Sequence, residues 1–208
     1  MQRPNYGRML DEKIAQLEKS GEKPSLLLHA CCAPCSSHTL EFLTGHFDIT
    51  LYCATPNISP EDEFDFRLSE LRRLVKEMGL DINVIEEPYD PEPFYELAKG
   101  LEKLPERGER CRKCIEFRLR LAAEKAKELG SSFFTTTLTI SPHKDGIFIN
   151  ECGGRIAGEY GVPYLFSDFK KHEGYKRSIE LSRQYGLYRQ DYCGCIYSRI
   201  NSGRHQED

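Results

Sequence analysis

At 208 residues, with 39% hydrophobic and 30% charged side chains, the chain has the size and composition of one globular domain that buries a core without disulfide support. No apolar run approaches the roughly 20 residues that span a bilayer, and Met1-Gln2-Arg3-Pro4-Asn5-Tyr6 lacks the apolar centre of a secretory signal. The expected setting is the cytoplasm, away from membranes, where thiols stay reduced and clustered cysteines bind metal or carry electrons. The net charge of −4 speaks against nucleic acid, but it is unevenly spread. Residues 1–109 hold 12 Lys/Arg against 21 Asp/Glu, a balance of −9, and residues 110–208 hold 17 against 12, a balance of +5. The second half therefore offers a phosphate-contacting face as the alternative to an ordinary solvated surface.

Apolar runs alternate with amphipathic stretches in chain order. Leu10, Ile14 and Leu17 share a face of a first helix that ends near Gly21, within an N-terminal segment of residues 1–22. The run at Ser25–His29 predicts a strand, and residues 36–44 a helix capped by Ser36. A second strand is expected at 47–53. Residues 60–78 carry Phe64, Leu68, Leu71, Leu74 and Val75 at helical spacing and stop at Gly79. After a third strand at 81–85, residues 86–110, with four prolines and many charges, read as an insertion or lid. A helix over 111–129 aligns Ile115, Leu119, Ala122 and Ala126 and stops at Gly130. Strands at 133–138 and 163–166 and weaker helices at 147–160 and 178–185 complete the core. Residues 200–208 read as a disordered tail.

This alternation implies an α/β fold: a parallel sheet with helices on both faces. It forms a single domain over residues 1–208, with its catalytic core at 23–199. Sites in such sheets form beyond the carboxyl ends of the strands. Three loops rich in polar groups leave strands there: residues 31–35, 54–60 and 135–144.

Seven of the nine cysteines fall in three tight groups: Cys31-Cys32-Ala33-Pro34-Cys35, Cys111-Arg112-Lys113-Cys114 and Cys193-Gly194-Cys195. Their neighbours are turn and surface residues, unlike those of a packed core thiol. The Cys111/Cys114 spacing suits zinc, but no small hairpin module accompanies it. A four-iron cluster takes one thiolate per iron, and adjacent Cys31 and Cys32 suit two irons of one cluster better than one zinc. A helix N-terminus at Cys111 and Cys114, with Arg110, Arg112 and Lys113 beside it, would stabilise negative charge. Iron–sulfur is thus favoured over zinc and over free redox thiols. Cys193 and Cys195 read as a reversible two-electron thiol store or as ligands of another metal, with Gly194 easing the turn. Cys53 reads as a core thiol, and Cys152 receives no role.

Six motifs in order resemble the QueH-type epoxyqueuosine reductases. They are residues 31–35, Pro56-Asn57-Ile58, Arg110-Cys111-x-x-Cys114, Thr136-Thr137-Leu138 with Ser141-Pro142-x-Lys144, Asp168-Phe169-Lys170-Lys171, and Leu187-Tyr188-Arg189-Gln190-x-Tyr192-Cys193-Gly194-Cys195. The resemblance covers roughly residues 23–199. It implies reduction of the epoxide of epoxyqueuosine to the alkene of queuosine, at the wobble position of tRNA, with electrons from an unidentified donor and no cobalamin. It implies a four-iron ([4Fe-4S]) cluster on Cys31, Cys32, Cys111 and Cys114, and Cys193 with Cys195 as the redox-active pair. It also implies a separate iron, with Cys35 or the late pair as candidate ligands. The sheet is similar to the adenine-nucleotide alpha-hydrolase-like (HUP-like) folds, but residues 31–35 occupy the place of their nucleotide loop, so no ATP use is expected. Where the family commonly has Tyr or Trp and an Asn before Pro-Asn-Ile, this chain has Cys53-Ala54-Thr55. Asn57 remains a candidate base contact.

Opening an epoxide needs a proton or Lewis acid at the departing oxygen. Asp191, Asp168, Lys144, His143 and Tyr192 are the candidate donors, with Asp191 counted among the catalytic residues, and a nearby iron could do the same job. Substrate contacts are expected from Asn57, Arg110, Lys144, Lys170, Lys171 and Arg189, with Arg112 and Lys113 added for phosphates. The competing functions are a zinc-stabilised RNA-binding domain, which would not need Cys193-Gly194-Cys195, and a thiol–disulfide oxidoreductase, which would not need Cys31-Cys32.

Overall fold

The computed structural model describes residues 4–201. Four strands, β1 (Ser25–His29), β2 (Asp48–Cys53), β3 (Asn83–Glu86) and β4 (Phe133–Thr136), form one all-parallel sheet in the order β3-β2-β1-β4. The near-continuous apolar run of β1 is the signature of a strand covered on both faces, and Leu26, Leu27 and Leu28 are all buried. Alternation sends Leu26 and Leu28 to one face and Leu27 to the other.

On the first face, Leu26 and Leu28 meet α1 (Tyr6–Ser20), α2 (Ala33–Leu43) and α3 (Glu61–Glu77) through Leu10, Ile14, Leu40, Leu43, Leu71 and Leu74. On the second, Leu27 and Phe134 meet α5 (Glu109–Glu128) and α6 (Gly146–Tyr160) through Leu119, Ala122, Ala126, Ile149 and Ile156. The helical spacing of these positions is what made the helices legible in the sequence. Asn5 caps α1 by accepting from the Arg8 N–H at 3.1 Å, and Gly21 ends it in the left-handed conformation at φ 70°. Among the described residues no helix is long and apolar enough to cross a membrane.

Several expectations are corrected. α2 begins at Ala33, with Cys32 at the N-cap, so Ser36 lies inside the helix and donates to the Cys32 carbonyl at 2.9 Å. The strand expected at 133–138 stops at Thr136 and turns into a 3-10 segment, Thr137–Ile140. The strand expected at 163–166 contributes only a parallel bridge between Phe134 and Tyr164. α7 (Gly174–Gln184) begins before the expected helix start at 178, and a short α8 (Ile196–Asn201) follows the last cysteines, so the tail expected from residue 200 begins inside that helix. The rest of that tail lies outside the described residues.

The largest correction concerns residues 86–110. They contain α4 (Glu92–Ala98), whose Phe94 is 1% exposed and packs with Ala98 against Cys114 and Cys195. The segment is a wall of the core and not a loose lid. Phe94→Ala should therefore cost about 3–5 kcal/mol, read as a lower urea midpoint of the metal-free protein. A lid would lose almost nothing.

Candidate metal centre and active site

The site begins at the last residue of β1. His29 is fully buried, with Nε2 3.2 Å from the Ala54 carbonyl and Nδ1 2.8 Å from Thr136 Oγ1. A carbonyl only accepts, so Nε2 carries the proton and Nδ1 accepts from the Thr136 hydroxyl. Burial, aided by the Arg118 charge, holds the imidazole neutral by lowering its pKa to about 4. The same Thr136 oxygen accepts from the Leu138 N–H at 3.2 Å. One neutral histidine thus ties the ends of β1 and β4 to the loop after β2.

Two residues later the chain places its first sulfurs. Cys31 and Cys32 Sγ are 3.7 Å apart, and with Cys35 Sγ all three lie within 4.8 Å of one another. Three sulfurs gathered this closely mark a place where a soft metal group could be held. Hydrogen bonds from Cys32 and Cys35 hold the Cys31 thiol well below its ordinary range. Donating that bond to Cys31, more than burial, pushes Cys32 and Cys35 up.

The late group faces it across a cleft of about 280 Å³ bordered by Cys31, Cys32, Cys35, Cys111 and Cys193. Lys144 Nζ donates to Cys193 Sγ at 3.3 Å. Burial alone would raise the Cys193 thiol, but the charges of Lys144 and Arg118 outweigh it and leave it lowered. Cys195, more deeply placed, is pushed up to about 12 by burial and by Cys193. All nine cysteines are free thiols. The turn between Cys193 and Cys195 is pinned on several sides. The Ser59 N–H donates to the Gly194 carbonyl at 2.9 Å, and Arg67 Nη1 to the Cys193 carbonyl at 3.3 Å. Ser198 Oγ accepts from the Cys193 N–H at 3.0 Å and donates to the Glu106 carboxylate. Gly194 has φ 102°, and a Cβ there would lie 2.7 Å from Arg67 Nη1, so only glycine fits.

Arg118 on α5 shows what charge this arrangement requires. It is 2% exposed, and its Nε has no hydrogen-bond partner. The groups that act most strongly on its charge are the thiols of Cys114, Cys193, Cys31 and Cys195, not a carboxylate. Arg67 is buried as well, with Nη2 unpartnered although Nε meets Glu63 at 2.6 Å. Buried cations need anions beside them; Arg67 has Glu63, whereas the groups acting on Arg118 are sulfurs. Neutral thiols would leave Arg118 uncompensated, whereas thiolates bound to a soft metal centre would answer it. The donor set therefore fits a metal–thiolate group.

A family model described as epoxyqueuosine reductase QueH matches residues 26–201. The chain belongs to the epoxyqueuosine reductase QueH family. A QueH relative from Streptococcus pyogenes serotype M1 is 44% identical over 206 residues, covering 97% of this chain and 81% of the relative. One from Staphylococcus epidermidis is 44% identical over 208 residues, covering 97% and 87%. One from Thermotoga maritima is 34% identical over 182 residues, covering 85% and 91%. Among solved structures, the U34-tRNA thiolase NcsA from Methanococcus maripaludis with its [4Fe-4S] cluster superposes with a TM-score of 0.53 at 9% identity, covering 96% of this chain and 69% of that one. This likeness concerns the fold alone and agrees with the expected HUP-like architecture.

Within this QueH fold, the cleft also takes in Lys144, Arg189 and Asp191. Cys114 lies behind it, one turn along α5 from Cys111 and buried against Phe94. Other expected substrate contacts fall elsewhere. Arg110 is 1% exposed, and its Nη1 donates to the carbonyls of Leu101, Glu102 and Leu104 at 3.1, 2.7 and 2.7 Å. It anchors the 101–104 segment and is not a surface cation for phosphate. Asn57 is likewise buried, with Oδ1 unpartnered. Lys170 is engaged with the Thr139 carbonyl at 2.8 Å and Asp168 at 2.9 Å, while Lys171 stays exposed beside Gly7. Lys113 pairs with Glu109 at 3.5 Å.

Sequence reasoning missed Arg67, Glu106 and Arg107, and counted Arg118, with Arg120, among surface basic residues although it is buried. Arg118 carried a signal, since it follows Cys111 and Cys114 by seven and four residues and so shares their helix face. Arg107 had none; it sits at φ 66°, with Nη2 3.4 Å from His143 Nδ1 at the cleft.

Lys144→Met should raise the pH midpoint of Cys193 alkylation in the metal-free protein, because the thiolate loses its adjacent cation. The rate at neutral pH should fall severalfold by mass-spectrometric mapping. Cys53, buried and pushed up to about 12, is the internal control and should stay unreactive in both proteins.

Proposed function

We propose that this chain reduces the epoxide of epoxyqueuosine in tRNA to the alkene of queuosine, the activity named for its family, and that the reaction takes place in the cleft between the two cysteine groups. The observation that carries the placement is the convergence of Cys31, Cys111 and Cys193, from three separate segments, on one cleft. The reaction needs two electrons and two protons for each oxygen released as water. Two thiols that close to one disulfide supply both: epoxide plus dithiol gives alkene, disulfide and water. Cys193 and Cys195 are assigned this role. Lys144, on Cys193 Sγ, keeps that sulfur anionic and stands ready to pass a proton toward the departing oxygen. The second proton is the one Cys195 gives up as the disulfide closes, and Asp191, at the cleft, is assigned to relay it.

Cys31, Cys32, Cys111 and Cys114 would hold a four-iron cluster, with Cys35, the third sulfur of the triad, open to an additional iron. When bound, the cluster would supply electrons one at a time from a donor outside the chain. The side chains of this protein meanwhile fix the late turn, neutralise sulfur charge and keep solvent from Cys195. Partner recognition rests on cations at the cleft, Arg107, Arg112 and Arg189.

Replacing any of Cys31, Cys32, Cys111 or Cys114 by Ser should sharply reduce iron and sulfide content in anaerobic preparations; full content in all four would sink the ligand assignment. Cys193→Ser and Cys195→Ser should keep wild-type iron and lose single-turnover epoxide reduction. Normal turnover in both removes the redox role, and loss of about one iron per chain points to metal ligation instead. Affinity for tRNA should fall steeply with salt as phosphate counterions are released. An affinity that stays flat from low to moderate salt contradicts the cationic rim.

A further inference from the structure

The cleft has aromatic walls that electron transfer does not require. Phe148 on α6 lies under the Arg112 guanidinium at 5.2 Å, and Tyr175 on α7 under that of Arg189 at 5.7 Å. All four side chains border the same cavity as the thiols. Both rings are half-buried, unlike the core aromatics Phe47, Phe94 and Phe134. Arg112 is well exposed, and its one carboxylate, Asp145, is distant at 3.9 Å. Phe148 packs by one side on the core and still borders the cleft, and Arg189, held by Ser178 and Ser182, has no carboxylate partner among the described residues.

Unstacked nucleobases are held on aromatic rings and guanidinium planes. The cavity, about 280 Å³, is at the small end of pockets that take one ligand. It cannot admit a base that remains stacked between its neighbours. We propose that the enzyme takes its nucleoside extruded from the RNA loop, with the base stacked on the Phe148–Arg112 and Tyr175–Arg189 surfaces. These four are positioning residues: they set the ring of the modified base before Lys144 and the late cysteines. The inference rests on the tRNA reading above and adds to it the recognition of a single turned-out base.

The test uses the iron-loaded full chain and two dye-labelled anticodon stem-loop RNAs, one with guanosine at the wobble position and one abasic there. Wild type should bind the guanosine loop about tenfold more tightly than the abasic loop, the worth of stacking one base. Phe148→Leu and Tyr175→Leu should each bring that ratio toward one while leaving abasic-loop affinity and iron content at wild-type levels. Arg112→Lys and Arg189→Lys, which keep the charge and lose the plane, should reduce the ratio with little change in salt dependence. If wild type binds the loops and reduces epoxide yet shows no base preference, or if the preference survives in all four variants, the stacking inference is overturned while the reductase reading stands. If wild type binds neither loop and reduces nothing, both fall.

Discussion

A positive charge buried among sulfurs is the constraint on which the rest of this structure depends. Arg118 has left water, and the groups that answer its charge most strongly are thiols. Such a charge is costly unless anions meet it. Of these sulfurs, Cys31 and Cys193 are the ones biased toward the thiolate, and they come from distant stretches of chain. Lys144 and Arg67 extend the same bias to the far side of the cleft, one through Cys193 Sγ and the other through the Cys193 carbonyl. Sequence separation is bridged here by electrostatics as much as by packing.

The scaffold brings these stretches together with few components. Parallel strands deliver their loops to one rim, and His29 fixes three of the rim positions through two hydrogen bonds. Because it is neutral, it does so without adding to the cationic charge already present. The Cys111–Arg118 face of α5 supplies the opposite side, and α4 closes the rear.

Much of this was legible in the sequence, for definite reasons. The three leucines at 26–28, set between Ser25 and His29, read as a covered strand, and cysteines placed directly after a strand lie at its carboxyl end. The helical spacing of Phe64 to Val75 and of Ile115 to Ala126 fixed which faces are buried. The failures also have causes. Residues 86–110 carry prolines and charges that mimic a lid, because their burial is contributed by few residues, chiefly Phe94 and Ala98. Arg110 reads as a phosphate ligand by its company, yet three nearby carbonyls take up its guanidinium. Four threonines beside β4 suit a strand, and the 3-10 turn arises only because the Thr136 oxygen accepts from the Leu138 N–H. The thiol groups were found by spacing; of the cations near them, Arg118 shares the helix face of Cys111 and Cys114, whereas Arg67 lies where no local pattern marks it.

The arrangement of walls governs more than substrate entry. Cys114 and Cys195 lie beneath Phe94 and Ala98, while Cys31, Cys111 and Cys193 border the cleft. The other void touching Cys31 is about 10 Å³, room for no more than roughly one water. The cleft is thus the wide mouth through which Cys31, Cys111 and Cys193 meet solvent. Whatever fills that mouth also stoppers it. A bound RNA is then a shield against dioxygen as well as a substrate, and the vacant enzyme is the form most exposed to air.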